Sequence, residues 1–296
     1  MANLQEKTVI ESCYRQDGVS IFYDSTKTDV DTRLDHKRKV PKLVRGTLAD
    51  LKLSKDYLWK PRHYYPGLEK FVRIDREGGA ATYVVDMHQH AFFGWMESVA
   101  TGLIKPGKTT LLRFDMHDDM WNTPEEAGDD LEMERIKLEK FNLDRIREYI
   151  GHNLNEGNFV SRGMALGLFN RVINIEPARG MAEDFHVVED IGMERFDIDQ
   201  VTPDFIKSLS KNGGLVTDFD WDFFNLHATP TYDEEYQNSM IKKRKKPLPI
   251  LLAEDQTKIR LAINSSRLAT VSTTPSVLHN KSQRDFYWQV LKSILK

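Results

Sequence analysis

The chain has 296 residues, 40% hydrophobic and 10% aromatic, enough to bury a substantial core as one large domain or two small ones. A formal net charge of −3 and a pI near 6.3 exclude the basic balance of a general nucleic-acid binder. Cys13 is the only cysteine, which excludes an internal disulfide framework and a cysteine-rich zinc site. No stretch reaches the roughly 18 apolar residues that span a bilayer. The start, MANLQEKTVIESCYRQD, lacks the basic segment and apolar core of a signal peptide. A cytoplasmic protein with no membrane partner is the expectation.

Residues 1–75 are irregular in pattern and carry turn signals such as RQDG and YYPG, with possible strands at TVIES and VSIFYD. The basic runs KRKVPKLVR (37–45) and KKRKK (242–246) read as solvated loops, with an acidic peptide as the sharper alternative. ATYVVDM (81–87) reads as a buried strand and FFGWMESVATGLI (92–104) as a helix closed by KPGK. TTLLRFD (109–115) is a second strand, and apolar residues between Leu131 and Ile150 recur near helical spacing. GNFVSRGMALGLF (157–169) reads as helix, RVINI (171–175) as strand, and PDFIKSLSKN (203–212) as helix. GLVTDFD (214–220) and RLATVSTT (267–274) are further strands, and 281–295 forms a closing helix. This alternation predicts an α/β fold with crossover helices.

Three of these strands end in metal-ligand chemistry. FDMHDDM (114–120) places Asp115, His117 and Asp119 at alternate positions, so an extended chain would project all three to one side. They follow an apolar strand at its carboxyl end, the edge of an open α/β sheet where ligands bind. VTDFDWDFF (216–224) repeats the device with Asp218, Asp220 and Asp222, and VVDMHQHAFFGW (84–95) offers Asp86, His88 and His90. Carboxylates with imidazoles suit Mn²⁺, Zn²⁺ or Fe²⁺ better than a Ca²⁺ cage. A carboxylate can also bridge two cations, which in such pairs lie roughly 3.5–4 Å apart. Each cluster by itself could equally be surface polar residues and helix caps after a strand; it is the recurrence at three strand ends that points to a site.

In this order, a histidine after one strand, Asp-x-His-x-Asp after a second and Asp-x-Asp after a third, the chain resembles the arginase–deacetylase superfamily over about residues 81–275. VVDMHQHAFFGW, GNFVSRGMALGLF and DFDWDFF resemble a divergent branch that contains the peptide arginases, which convert arginine to ornithine within ribosomally made peptides. The usual Gly-Gly-Asp-His-Ser and Asp-x-Asp-x-x-Asp-Pro wordings are absent here. The resemblance implies a three-layer arginase-like fold, with a mostly parallel sheet flanked by helices, and one catalytic domain over 1–296 in which 1–75 is an extension. It further implies two Mn²⁺ ions held by His90, Asp115, His117, Asp119, Asp218 and Asp220, with Asp115 and Asp218 touching both. His90 is preferred over His88 because it directly precedes the helix start.

His152 is the proton-shuttle candidate and has a plain reading as a helix-terminal histidine. Glu156 and Asp222, and more weakly Glu97, are candidates to grip a guanidinium; Glu156 reads equally well as a loop acid beside Gly157. STTPS (272–276) is expected at the same rim or as a simple turn. The expected partner is an arginine-bearing precursor peptide, with or without a leader segment. A small-molecule amidinohydrolase, a deacetylase, and a non-catalytic metal-stabilised binding protein are the competing readings, the deacetylase being disfavoured by the lack of a His-His pair. Oligomeric state is not written in these motifs.

Overall fold

The computed structural model describes residues 43–53, 68–120, 142, 146, 149–150, 154, 157–177, 192–210, 214–224, 242, 248–274 and 281–296. Among them, eight strands form one sheet: β1 (Leu43–Gly46), β2 (Phe71–Asp75), β3 (Ala81–Val85), β4 (Thr109–Phe114), β5 (Phe169–Glu176), β6 (Met193–Asp197), β7 (Leu215–Asp220) and β8 (Leu268–Ser272). Their spatial order is β1-β2-β3-β8-β7-β4-β5-β6. Every named strand pair is parallel except β2 with β3.

The four middle strands, β3, β8, β7 and β4, are buried at every position, as parallel strands covered on both faces must be. Adjacent residues serve opposite faces, in the two-residue period of a pleated strand. Tyr83, Leu111 and Val172 pack on one side with α1 (Ala91–Ala100) and α2 (Phe159–Ala165). Val84, Leu112 and Ile173 pack on the other with α3 (Pro203–Ser210), α4 (Leu248–Ser265) and α5 (Lys281–Ile294). The result is three layers, helices over both faces of a mostly parallel sheet. None of the described helices is long and apolar enough to cross a membrane.

Several elements differ from the sequence reading. Leu43–Gly46, at the end of the first basic run, is an edge strand, and β2, β6 and the long helix α4 were not anticipated. Helix α1 stops at Ala100 rather than running to Ile104, because Gly102 adopts φ 72° and turns the chain while Leu103 N donates back to Ser98 O at 2.8 Å. TVIES, VSIFYD, residues 37–42 and all of KKRKK but the exposed Lys242 lie outside the described residues.

Candidate metal centre

Parallel pairing of β3, β8, β7 and β4 brings four carboxyl ends to one edge of the sheet. Register sets Arg113 beside Asp218, Asp218 beside Thr270, and Asp220 beside Ser272. After β3, a tight 3-10 turn at His88–His90 leads into α1 and breaks the two-residue alternation of the strand, so that the preference for His90 over His88 does not follow the chain's actual path.

The turn sends His88 into the carboxylates. Its Nδ1 lies 3.1 Å from Asp115 Oδ2, 3.0 Å from Asp119 Oδ2 and 3.1 Å from Asp220 Oδ2. Its Nε2 lies 2.8 Å from Asp218 Oδ2. His90 is also buried, but its Nδ1 accepts from Met87 N at 3.3 Å and its ring lies 5.1 Å from that of Phe71. The histidine that the fold brings to the four aspartates is therefore His88.

The Asp-x-His-x-Asp run does not stay extended. Asp119 takes a left-handed φ of 55°, a conformation few non-glycine residues adopt, and folds its carboxylate back beside Asp115. His117 turns the other way: its Nδ1 is 2.7 Å from Asp222 Oδ2 and 3.7 Å from Asp115 Oδ1. Two ligand-type groups result. His88, Asp115 and Asp220 offer atoms within 4.8 Å of one another, and so do Asp115, His117 and Asp222. Asp115 belongs to both, one oxygen facing each. The His117 side chain retains 32% of its exposure, whereas His88 retains 1%, so the second group is the one open to solvent.

Hydroxyls of β8 and the segment after it hold these carboxylates in place. Thr270 Oγ1 donates to Asp218 Oδ1, and Thr274 Oγ1 donates to Asp220 Oδ1. Ser272 and Thr274 of the anticipated STTPS rim therefore line the site, Ser272 bonding Thr274 at 2.7 Å. Asp86, by contrast, accepts from Leu68 N at 2.7 Å and Thr273 Oγ1 at 3.2 Å, and ties the strand ends together.

Arg113 was not anticipated. It is fully buried and donates from Nη2 to Asp115 Oδ2 and Asp119 Oδ2, and from Nε to Asp218 Oδ2 at 3.4 Å. Its Nη1 donates to Asp118 O at 2.6 Å and His117 O at 3.3 Å. An arginine inside the apolar run TTLLRF, two positions before Asp115 and so on the same face, was the available signal. The ring of Phe159, at the start of α2, covers both cations: its centroid is 4.7 Å from that of His88 and 5.7 Å from the Arg113 guanidinium carbon.

Charge sharing here is extreme. Burial opposes a charged His88, yet Asp218, Asp220, Asp115 and Asp119 together raise its pKa well above the usual value. Burial likewise works against ionised Asp115, but Arg113 and His88 hold its carboxyl far below the ordinary range. Asp119, raised by burial and by Asp115, sits at about 7. Burial, with Asp220 and Asp115 nearby, pushes Asp222 well up. Such a set is hard to keep ionised without added positive charge, and its oxygen-rich, imidazole-bearing chemistry fits divalent cations. His152 and Glu156 lie outside the described residues. Asp222, expected to grip a substrate guanidinium, instead pairs with His117 in the solvent-facing ligand group. Glu97 is remote in role, bonding Arg73 at 3.0 Å and Tyr83 within the helix layer.

Fold and site together define a three-layer α/β protein with a shared aspartate–histidine centre at the carboxyl edge of its sheet. No protein-family model matches the chain, and the comparison with curated proteins finds no match. Solved structures do show similarity. An arginase from Bacillus cereus is 13% identical, with a TM-score of 0.38 over 76% of this chain and 71% of that one. The agmatine ureohydrolase of Thermoplasma volcanium is 12% identical, with a TM-score of 0.39 over 77% of this chain and 62% of that one. An arginase from Bacillus caldovelox is 11% identical, with a TM-score of 0.38 over 76% of this chain and 68% of that one.

Proposed function

We propose that the chain is a metal-dependent hydrolase of guanidinium groups, and that its substrate is an arginine side chain within a peptide. The observation that carries the reading is the pair of ligand groups sharing Asp115, formed at the carboxyl ends of β3, β7 and β4, with β8 between β3 and β7. His88, Asp115, Asp119, Asp218 and Asp220 would hold one cation, and Asp115, His117 and Asp222 the other. Manganese suits a set in which aspartate oxygens outnumber imidazoles. When bound, such cations supply Lewis acidity and lower the pKa of water toward neutrality.

The protein's own residues prepare that chemistry. Thr270 and Thr274 fix the lone-pair directions of Asp218 and Asp220, so the ligands need not reorganise. Phe159, backed by Trp95, covers the deep side at His88, and the partly exposed His117 marks the side from which substrate approaches. In the overall reaction water adds to the guanidinium carbon, the bond from that carbon to the side-chain δ-nitrogen breaks, and the nitrogen takes a proton. Arginine plus water gives ornithine plus urea. Support for a peptide substrate is the likeness of VVDMHQHAFFGW, GNFVSRGMALGLF and DFDWDFF to the peptide-arginase branch, with an arginine-bearing precursor peptide as the partner.

The test is to incubate the Mn²⁺-loaded chain with an arginine-containing peptide, free arginine and agmatine, following mass and urea beside an Asp115→Asn control. A peptide mass loss of one cyanamide per arginine, matched by urea and absent from the control, is expected. Turnover of free arginine or agmatine alone would replace the peptide with a small-molecule substrate. Silence on all three from a metal-loaded chain would contradict guanidinium hydrolysis.

A further inference from the structure

Arg113 is the feature of this centre that a plain divalent-metal site does not call for. Its Nη2 and Nε reach Asp115 Oδ2, Asp119 Oδ2 and Asp218 Oδ2, and the His88 ring reaches the same three oxygens. Those are the atoms the inner ligand group would give to a cation. The guanidinium keeps its charge, as arginine does throughout the accessible pH range. It cannot swing away freely. Nη1 is bound to the carbonyls of His117 and Asp118, the Phe159 ring lies over the group, and the residue is wholly buried.

The solvent-facing group is different. Asp222 Oδ2 meets His117, its Oδ1 accepts from Met116 N at 3.5 Å, and among the described residues no lysine or arginine touches its carboxylate. The oxygen of Asp115 that faces this group is Oδ1, the one Arg113 leaves alone. A cation arriving from solvent therefore reaches the outer group first, at the partly exposed His117, and meets an inner group that Arg113 already compensates.

We propose that Arg113 is a resident competitor for the inner ligand group, so that the centre loads in two separated steps. The first divalent ion takes Asp115, His117 and Asp222. The second enters the His88 side only at higher concentration, by displacing Nη2 from Asp115 and Asp119. This rests on the metal-centre reading above and adds to it an order of occupancy set by one side chain. Arg113 is thus a positioning residue that keeps the inner carboxylates gathered when metal is scarce.

The experiment is a titration of the metal-free full chain with Mn²⁺. Bound metal is counted by mass spectrometry after equilibrium dialysis, and electron paramagnetic resonance separates isolated from exchange-coupled ions. The wild type should bind one isolated ion first, and show coupling only after a second step weaker by about 100-fold, the scale on which neighbouring groups tune metal affinity. Arg113→Met should draw the second step at least about 10-fold closer to the first, and Arg113→Lys, with charge but no fork, should fall between. If Arg113→Met does not fold, Arg113→Lys against wild type makes the same comparison. Two equal steps in the wild type, or a second step unmoved in the variants, would overturn the role of Arg113 while leaving the metal centre intact. No bound Mn²⁺ in the wild type would overturn the metal-centre reading itself.

Discussion

Replacing His88 with Asn, beside a parallel His90→Asn, separates two histidines that sequence spacing alone treats as near equals. His88 touches four carboxylates at 2.8–3.1 Å and is 1% exposed, so its removal strands buried negative charge with Arg113 as the main counter-ion. Breaking one partner out of a buried charge network costs about 3–5 kcal/mol, and that loss should appear in metal-free denaturant unfolding. Losing an imidazole ligand should also weaken Mn²⁺ binding by at least about 10- to 100-fold, the range measured for removing merely supporting groups. His90→Asn removes a ring packed at 5.1 Å against Phe71 and a bond from Met87 N, so it should cost on the order of 1–3 kcal/mol and leave Mn²⁺ affinity within a few fold. Urea unfolding in chelator and calorimetric Mn²⁺ titration of both variants form the assay. Loss of Mn²⁺ binding in His90→Asn with retention in His88→Asn would refute the placement of His88 among the ligands.

Three further expectations follow from the same geometry. A Cβ on Gly94 would lie 3.1 Å from Tyr83 Cγ and 3.2 Å from Thr270 Cγ2, so Gly94→Ala should destabilise the chain by about 1–3 kcal/mol in thermal or denaturant unfolding. Because Thr270 anchors Asp218, it should also weaken metal binding. Phe159→Leu removes a ring lying 4.7 Å from His88 and 5.3 Å from Trp95, and should cost about 1–3 kcal/mol by the same measurement. The pH dependence of the metal-free chain has a definite sign. Folding raises Asp119 from its ordinary 3.8 to about 7, so its stabilising share is complete below the lower value and is lost as pH rises through the upper. Asp222 and His88, also raised, act in the same direction, whereas Asp115 is lowered and its share is already complete above the ordinary carboxylate range. The Tm of the metal-free chain should therefore fall from mildly acid to neutral pH, and saturating Mn²⁺ should abolish or reverse that slope. A metal-free Tm rising over this interval would contradict the assignment.

The sequence made the sheet's centre legible because its strands are short apolar runs closed by aspartates: TTLLRFD, GLVTDFD and ATYVVD each become a buried strand with acids at its carboxyl end. The outer strands were not legible. Leu43–Gly46 and Met193–Asp197 carry arginine, glutamate and exposed positions, so neither alternation nor an apolar run marks them out. Within the site, strand alternation pointed to the aspartates but misjudged the loops. It placed His117 and Asp119 on one side of an extended chain, whereas the left-handed turn at Asp119 brings its carboxylate to His88 while His117 faces Asp222. The choice between His88 and His90 depends on a 3-10 turn that the HQH tripeptide does not announce. Arg113 was overlooked because only the register with Asp218 makes it an internal cation.

Anomalous diffraction at the manganese edge from crystals of the loaded protein would locate the ions. Metal density is expected at Asp115 within coordination distance of His117 and Asp222, joined at higher Mn²⁺ by a second peak beside His88, Asp119, Asp218 and Asp220. An empty Asp115, or manganese held by His90 in its place, would contradict the metal-centre reading.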